Sequence, residues 1–220
     1  MTAVDFYFDP LCPWAYRAST WIREVAPHRG LDITWCPFSL EEKNWESSGK
    51  HPWERDWSFS WALLRVAVRL RREGGNDTVN RFYEAAGRRC HDEGVPVFLR
   101  DRLGELVTEL GFDAALVDDS HLDETVTADL RRDHRIAAER GVFGVPTLGV
   151  AGQLLFGPVI TPAPIGDAAL RLWDLVIGWT EFPDLYEMQR PKGAAEQANI
   201  GRSFAKSGEA RTWMKRRTQP

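Results

Sequence analysis

The run Phe6-Tyr7-Phe8-Asp9-Pro10-Leu11-Cys12-Pro13-Trp14 constrains the fold of this chain more than any other feature. Val4 to Phe8 is short, aromatic and β-branched, the pattern of a buried central strand, and Asp9-Pro10 stops it because proline cannot donate to a ladder. Pro13 suits the first position of a helix, where its missing N–H would have no partner in any case. Trp14, Ala18, Trp21, Ile22 and Val25 recur at helical spacing, and Gly30 closes the segment. Leu31 to Phe38 alternates Leu31, Ile33 and Trp35 with Asp32, Thr34 and Cys36, a second strand. Strand, helix and strand at this spacing predict a parallel pair with a right-handed crossover.

From about Pro52 to Gly141 helical periodicity replaces the strand pattern. Trp57, Trp61, Leu64 and Val68 make one apolar stripe, and Val79 to Cys90 and Arg100 to Leu110 make two more. Ser120, with Asp123 three residues on, is expected to cap a further helix that runs to Gly141. Strands resume at Val145-Pro146-Thr147-Leu148, Gly152 turns the chain, Gln153 to Phe156 returns, and Ile165 to Gly178 closes with a helix. The expected organisation is α/β: a discontinuous domain from residues 1–51 and 142–190, with an inserted helical domain over 52–141. Residues 191–220 hold seven Lys and Arg against two acids, +5, while residues 1–190 hold 21 against 30, −9. With few large apolar side chains, that last segment reads as a mobile basic tail.

Composition narrows the function classes. Of 220 residues 43% are hydrophobic and 27% charged, the balance of an ordered globular chain. The net charge of −4 gives no support to nucleic-acid or acidic-membrane binding. No apolar run is long enough to cross a membrane, and Met1 to Asp9 has neither basic flank nor apolar core, so a cytoplasmic protein is expected. Three cysteines are too few for a disulfide scaffold and fit a reducing compartment. Several of the ten Trp fall between Trp35 and Trp61, in a series that is either core or the wall of a substrate cleft.

Cys12 is the sharpest chemical signal. At the start of a helix the N–H groups of Trp14 and Ala15 and the helix dipole favour a thiolate, so Cys12 is expected to titrate low and to react first. The plainer alternative is a small buried cap residue. Cys36 reads as an inert strand residue, and Cys90, beside His91, as the better of two remote resolving thiols. His28, His51, His91, His121 and His134 lack ligand spacing and no C-x-x-C occurs, so no metal is expected. No phosphate-binding glycine motif occurs, so no nucleotide is expected either.

With Gly144-Val145-Pro146-Thr147 and Phe156-Gly157-Pro158-Val159, the opening run resembles the DsbA-like branch of the thioredoxin superfamily. Within that branch it is most similar to the mycothiol-dependent nitroreductase group, over residues 3–188. The resemblance implies a thioredoxin fold with an inserted helical domain and a cis Val145–Pro146 bond facing Cys12. It implies a catalytic segment of Cys12, Pro13, Trp14 and Ala15. It also implies a low-molecular-weight thiol, mycothiol or another in preference to glutathione, held beside Val145, Pro146 and Thr147. Where that group carries a second cysteine, this chain has Ala15, so Cys12 is expected to work as a monothiol and to await an external thiol. The implied partners are a small electrophile or a protein disulfide, with a homodimer left open, and neither nucleic acid nor membrane. Two alternatives stand beside the oxidoreductase. One is a thiol-dependent transferase or 2-hydroxychromene-2-carboxylate isomerase, relatives that usually carry Ser at the position of Cys12. The other is a non-catalytic binding protein with the same fold.

Overall fold

The computed structural model describes residues 1–47 and 49–217. Strand β1 (Thr2–Phe8) lies inside the sheet. It pairs in parallel with β2 (Leu31–Pro37), Phe6 opposite Trp35, and antiparallel with β3 (Thr147–Val150), Phe6 opposite Leu148. β4 (Gln153–Phe156) returns against β3 and completes the order β2-β1-β3-β4. Helix α1 (Pro13–Arg29) makes the crossover from β1 to β2, and Gly30 ends it at φ 61°, the left-handed position that favours glycine.

Between β2 and β3 the chain is helical: α2 (Leu40–Lys43), α3 (Phe59–Gly87), α4 (Arg100–Glu109), α5 (Leu116–Leu122) and α6 (Glu124–Glu139). A π-helical turn, Arg88–Asp92, continues directly from α3. Apart from Trp57, which precedes it, and Arg88–Cys90 in the π turn, the stripes read at Trp57–Val68 and Val79–Cys90 belong to this one long helix, bent at Gly74-Gly75, where Gly75 has φ 70°. Ser120 is not the cap of the last insert helix. It is buried inside α5, its hydroxyl donating to the Leu116 carbonyl, and Asp123 caps α6 by accepting the N–H groups of Thr125 and Val126. A carboxylate placed at the break satisfies two free donors, which a serine one turn earlier cannot reach.

Helix α7 (Asp167–Trp179) packs on α1, Trp21 donating its indole N–H to the Ala169 carbonyl at 3.0 Å. In the basic segment read as a mobile tail, α8 (Ala194–Ser203) and α9 (Ala205–Arg217) follow an exposed stretch, Ser207 and Ala210 of α9 are buried, and residues 218–220 lie outside the described residues. Small side chains let α9 approach the π turn closely, so the segment needs few large apolar residues to dock.

The two faces of β1 serve different clusters. Val4, Phe6 and Phe8 enter the main core with residues of α1, α3, α5 and α6. There Phe8 stacks on Tyr83 with ring centroids 4.0 Å apart. Burial of each such side chain contributes on the order of 1.5–3 kcal/mol. Tyr7, on the opposite face, joins a smaller cluster with Cys12, Ala15, Phe38, Ala137, Val142 and Val145. Sheet alternation therefore delivers the Cys12 neighbourhood to the side away from the main core. Among the described residues no helix is long and apolar enough to cross a membrane.

Candidate active site

Cys12 is the N-cap of α1, with φ −86° and ψ 111°, and Pro13 is the first helical residue. Its sulfur accepts the N–H of Ala15 at 3.5 Å, and its S–H points at the Val145 carbonyl at 3.6 Å. The Val145–Pro146 peptide is cis. Thr147 is buried, its hydroxyl donating to the Gly144 carbonyl at 2.8 Å, while the Pro146 carbonyl accepts the N–H of Gly157 at 2.8 Å. Residues 133 positions apart in the chain thus meet at one sulfur, because β1 and β3 are neighbours. Ala15 is fully buried in the same cluster, and Trp14 stands half-buried at its edge.

Burial dominates the electrostatics. Cys12 is only 5% exposed. Loss of water pushes the thiol up to about 11, the N–H groups of Ala15 and Trp14 and the charge of Arg211 pulling it down and Asp9 pushing it further up. The low-titrating thiolate expected from helix position is therefore not what this arrangement holds. The donors are where the sequence places them, but desolvation outweighs them. Cys36, half-buried on the edge strand, and Cys90, fully buried, are both pushed by burial to about 12.

Several groups around Cys12 gave no sequence signal as site residues. Asp9, read only as a strand stop, is buried and accepts three hydrogen bonds: from the N–H of Leu11 at 2.9 Å, the N–H of Leu40 at 2.8 Å and the hydroxyl of Ser60 at 2.5 Å. The usable clue was local, an Asp two residues before the amide it caps. His91 stacks on Tyr16 and is hydrogen-bonded at both ring nitrogens, to the Pro10 carbonyl at 2.9 Å and the Ser207 hydroxyl at 2.8 Å. A carbonyl can only accept, so Nε2 carries the proton and Nδ1 accepts from Ser207. Arg211 donates to the Leu11 carbonyl, and Phe204 meets Trp14 edge-on at 4.6 Å. No local pattern announces these long-range contacts.

The Trp series divides. Trp61 is fully buried core, while Trp53 and Trp57 are half-buried against it. Trp45, His51 and Trp53 form a stack, with His51 at 3.8 Å and 4.2 Å from the two indoles. A separate concavity of about 610 Å³ lies along the β2 edge, lined by Tyr7, Cys36, Arg71, Arg72, Asp129 and Arg132 among others. Among the described residues no three His, Cys, Asp or Glu side chains are grouped to hold a metal ion.

Comparison with known proteins agrees with this architecture. The uncharacterized protein Rv2286c of Mycobacterium tuberculosis (strain ATCC 25618 / H37Rv) is 43% identical over 214 residues, 97% of this chain and 93% of that protein. A solved 2-hydroxychromene-2-carboxylate isomerase matches with a TM-score of 0.59 at 19% identity, covering 82% of this chain and 96% of that one. The cytosolic disulfide reductase DsbM from Pseudomonas aeruginosa matches with a TM-score of 0.55 at 20% identity, covering 80% and 99%. These two share the fold, a DsbA-like thioredoxin fold with a helical insertion. The match that spans the Cys12 helix start, the helical insertion and the Val145–Pro146 turn is to the Rv2466c-like family, described as mycothiol-dependent nitroreductase Rv2466c, over residues 11–190, and this chain belongs to that family.

Proposed function

We propose that this chain is a cytoplasmic monothiol oxidoreductase whose Cys12 exchanges with disulfides or small electrophiles, nitro compounds among them, and is returned to the reduced form by a low-molecular-weight thiol of the mycothiol kind. The observation that carries the reading is the Cys12 sulfur, which takes the N–H of Ala15 and faces the Val145 carbonyl beside Pro146. The backbone from Val145 to Thr147 fits a cysteinyl ligand: the carbonyl that now accepts the Cys12 S–H becomes free to accept an amide N–H once that sulfur is bonded. With a disulfide substrate, the Cys12 sulfur bonds to one sulfur and the other leaves as a thiolate that takes up the proton. Ala15 carries no sulfur, so an external thiol displaces Cys12 from the mixed disulfide. Over the full cycle two external thiols become one disulfide, and the substrate gains their two electrons and two protons.

A thiol that titrates near 11 is ionised in about one molecule in ten thousand at neutral pH. Turnover therefore draws on a state in which Cys12 is less buried and the N–H groups of Trp14 and Ala15 prevail. The same burial favours one other reading, in which Cys12 stays a thiol and orients a noncovalently bound thiol cofactor for transfer or isomerisation.

The test is to incubate reduced protein with oxidised mycothiol and, separately, with oxidised glutathione, and to map adducts by mass. The expected result is one adduct on Cys12, formed preferentially with mycothiol, that persists until external thiol is returned. Ala15→Cys supplies an internal attacker and is expected to shorten the adduct's life at least about tenfold. An adduct on Cys36 or Cys90, or wild-type clearance at the variant's rate without added thiol, ends the monothiol mechanism. A tight complex without any adduct selects the second reading.

A further inference from the structure

The two residues immediately before Cys12 present their carbonyls toward the C-terminal helices. The Leu11 carbonyl accepts the Arg211 guanidinium, and the Pro10 carbonyl accepts His91, whose other nitrogen takes the Ser207 hydroxyl. Arg17 donates to the Ser203 carbonyl at 3.3 Å, and Phe204 abuts Trp14. The contacts of α8 and α9 thus converge on the loop and helix turn that carry Cys12. The anchoring is thin in apolar terms: α8 has no buried residue, and the described part of α9 buries Ser207 and Ala210. Residues 181–195, which connect this pair to the body, are exposed throughout. Among the described side chains of the pair, the contacts with the Cys12 loop are mostly polar, and an element joined by an exposed connection and held that way opens at lower cost than a packed core. The family match ends at residue 190, whereas the 43% identical relative aligns over 97% of this chain, α8 and most of α9 included.

We propose that α9 is a releasable clamp on the Cys12 loop, with Arg211 and Ser207, the latter through His91, as positioning residues that hold the Pro10 and Leu11 carbonyls and keep the thiol inside. Released, the loop moves outward and Cys12 becomes reactive. The Val145 carbonyl accepts the thiol's S–H, and the groups that act on its charge are the N–H groups of Ala15 and Trp14, Asp9 and Arg211. The charge of Arg211 favours the thiolate, but burial is the largest influence and Arg211 the smallest of these, so release accelerates reaction despite the lost charge. The clamp deepens the oxidoreductase reading and takes from it only that Cys12 is the reacting group. Its test uses an alkylating agent, so failure to form a mixed disulfide would count against the oxidoreductase alone.

Iodoacetamide labelling of each cysteine, followed by mass at several pH values, reads the clamp directly. Arg211→Met and Ser207→Ala are expected to raise the Cys12 rate about tenfold near neutral pH, equivalent to one pH unit of ionisation, and to shift its pH profile downward. Cys36 and Cys90 should keep their wild-type rates, and Arg211→Lys should recover most of the protection. Cys12 rates within about twofold of wild type in folded variants overturn the clamp, twofold being well short of one unit of ionisation. If all three cysteines accelerate together the variant has lost its fold, and hydrogen exchange on the wild-type chain decides instead. Coupling is reciprocal, so alkylation of Cys12 should lower amide protection over residues 205–212, and unchanged protection there overturns the proposal.

Discussion

A single carboxylate fixes the loop ahead of Cys12. Asp9 offers its two oxygens to three donors, one from its own loop, one from the start of α2 and one from α3. Burial raises its pKa and the three donors oppose that rise. Asp9→Asn keeps the shape but turns an NH₂ toward at least one N–H or O–H donor, leaving buried groups unpaired at a cost of about 1–3 kcal/mol. The urea midpoint is expected to fall accordingly. Because Asp9 pushes the Cys12 thiol up, the same change should bring Cys12 ionisation to lower pH. A variant as stable as wild type would show that these donors find other partners. The direction of the Cys12 shift itself was not legible from residues 12–15. Local sequence places the N–H donors, whereas the water is excluded by Val145, Phe38 and Ala137, which are remote in the chain.

At the scale of elements, the seating of α1 on α3 depends on one missing side chain. A Cβ on Gly87 would lie 2.2 Å from Cδ2 of Tyr16. Tyr16 sits one turn into α1 from Cys12, and its hydroxyl donates to Asp92 of the π turn at 2.6 Å. Gly87→Ala therefore displaces Tyr16 and its partners, an overpacking cost of about 1–3 kcal/mol that exceeds the gain of about 1 kcal/mol in helix propensity. Gly201 on α8 has open space at the same position, so Gly201→Ala keeps the propensity gain alone. Thermal melts are expected to fall for Gly87→Ala and to hold or rise for Gly201→Ala. A Gly87→Ala protein that melts at or above wild type would refute the close approach. The helices themselves were readable from periodicity. That two stripes form one bent helix, and that its end presses on α1, depends on Gly75 and Gly87, whose sequence context is ordinary.

Across the whole molecule, buried titratable groups set the pH range of stability. His91 and His134 are both pushed down to about 4, chiefly by burial. Between about 6.5 and 4 the unfolded chain binds protons that these imidazoles refuse, so stability falls as pH falls, by up to about 1.4 kcal/mol per pH unit for each. Cys12, Cys36 and Cys90 act at the other end. Below about 9 both states hold the thiol proton, and above it the unfolded chain ionises while the folded one does not, so stability falls as pH rises. Urea midpoints should be highest between about pH 7 and 9 and lower at pH 4.5 and pH 10.5. Asp9 and Glu41, raised by burial, act in the opposite sense over the same range, so the histidine contribution is read by comparison. His134→Gln should lose less stability than wild type between pH 7 and 4.5, and an equal loss would mean that His134 is solvated.

Sequence alone determined the frame. Aromatic alternation, Asp9-Pro10 and Pro13 specify a strand that ends in a helix start with Cys12 between them. Periodicity specifies the helical insert, and the run through Val145-Pro146-Thr147 specifies the returning strand. These are local matters of hydrogen-bonding capacity, side-chain period and permitted backbone angles, which neighbouring residues settle between themselves. Tertiary structure alone decided how deeply Cys12 is buried and where residues 194–217 pack. Both depend on desolvation and on hydrogen bonds between groups far apart in the chain, such as Arg211 and the carbonyl of Leu11. Water exclusion is a property of the assembled neighbourhood, and a basic segment with no apolar stripe shows its docking site only once its partners are in place.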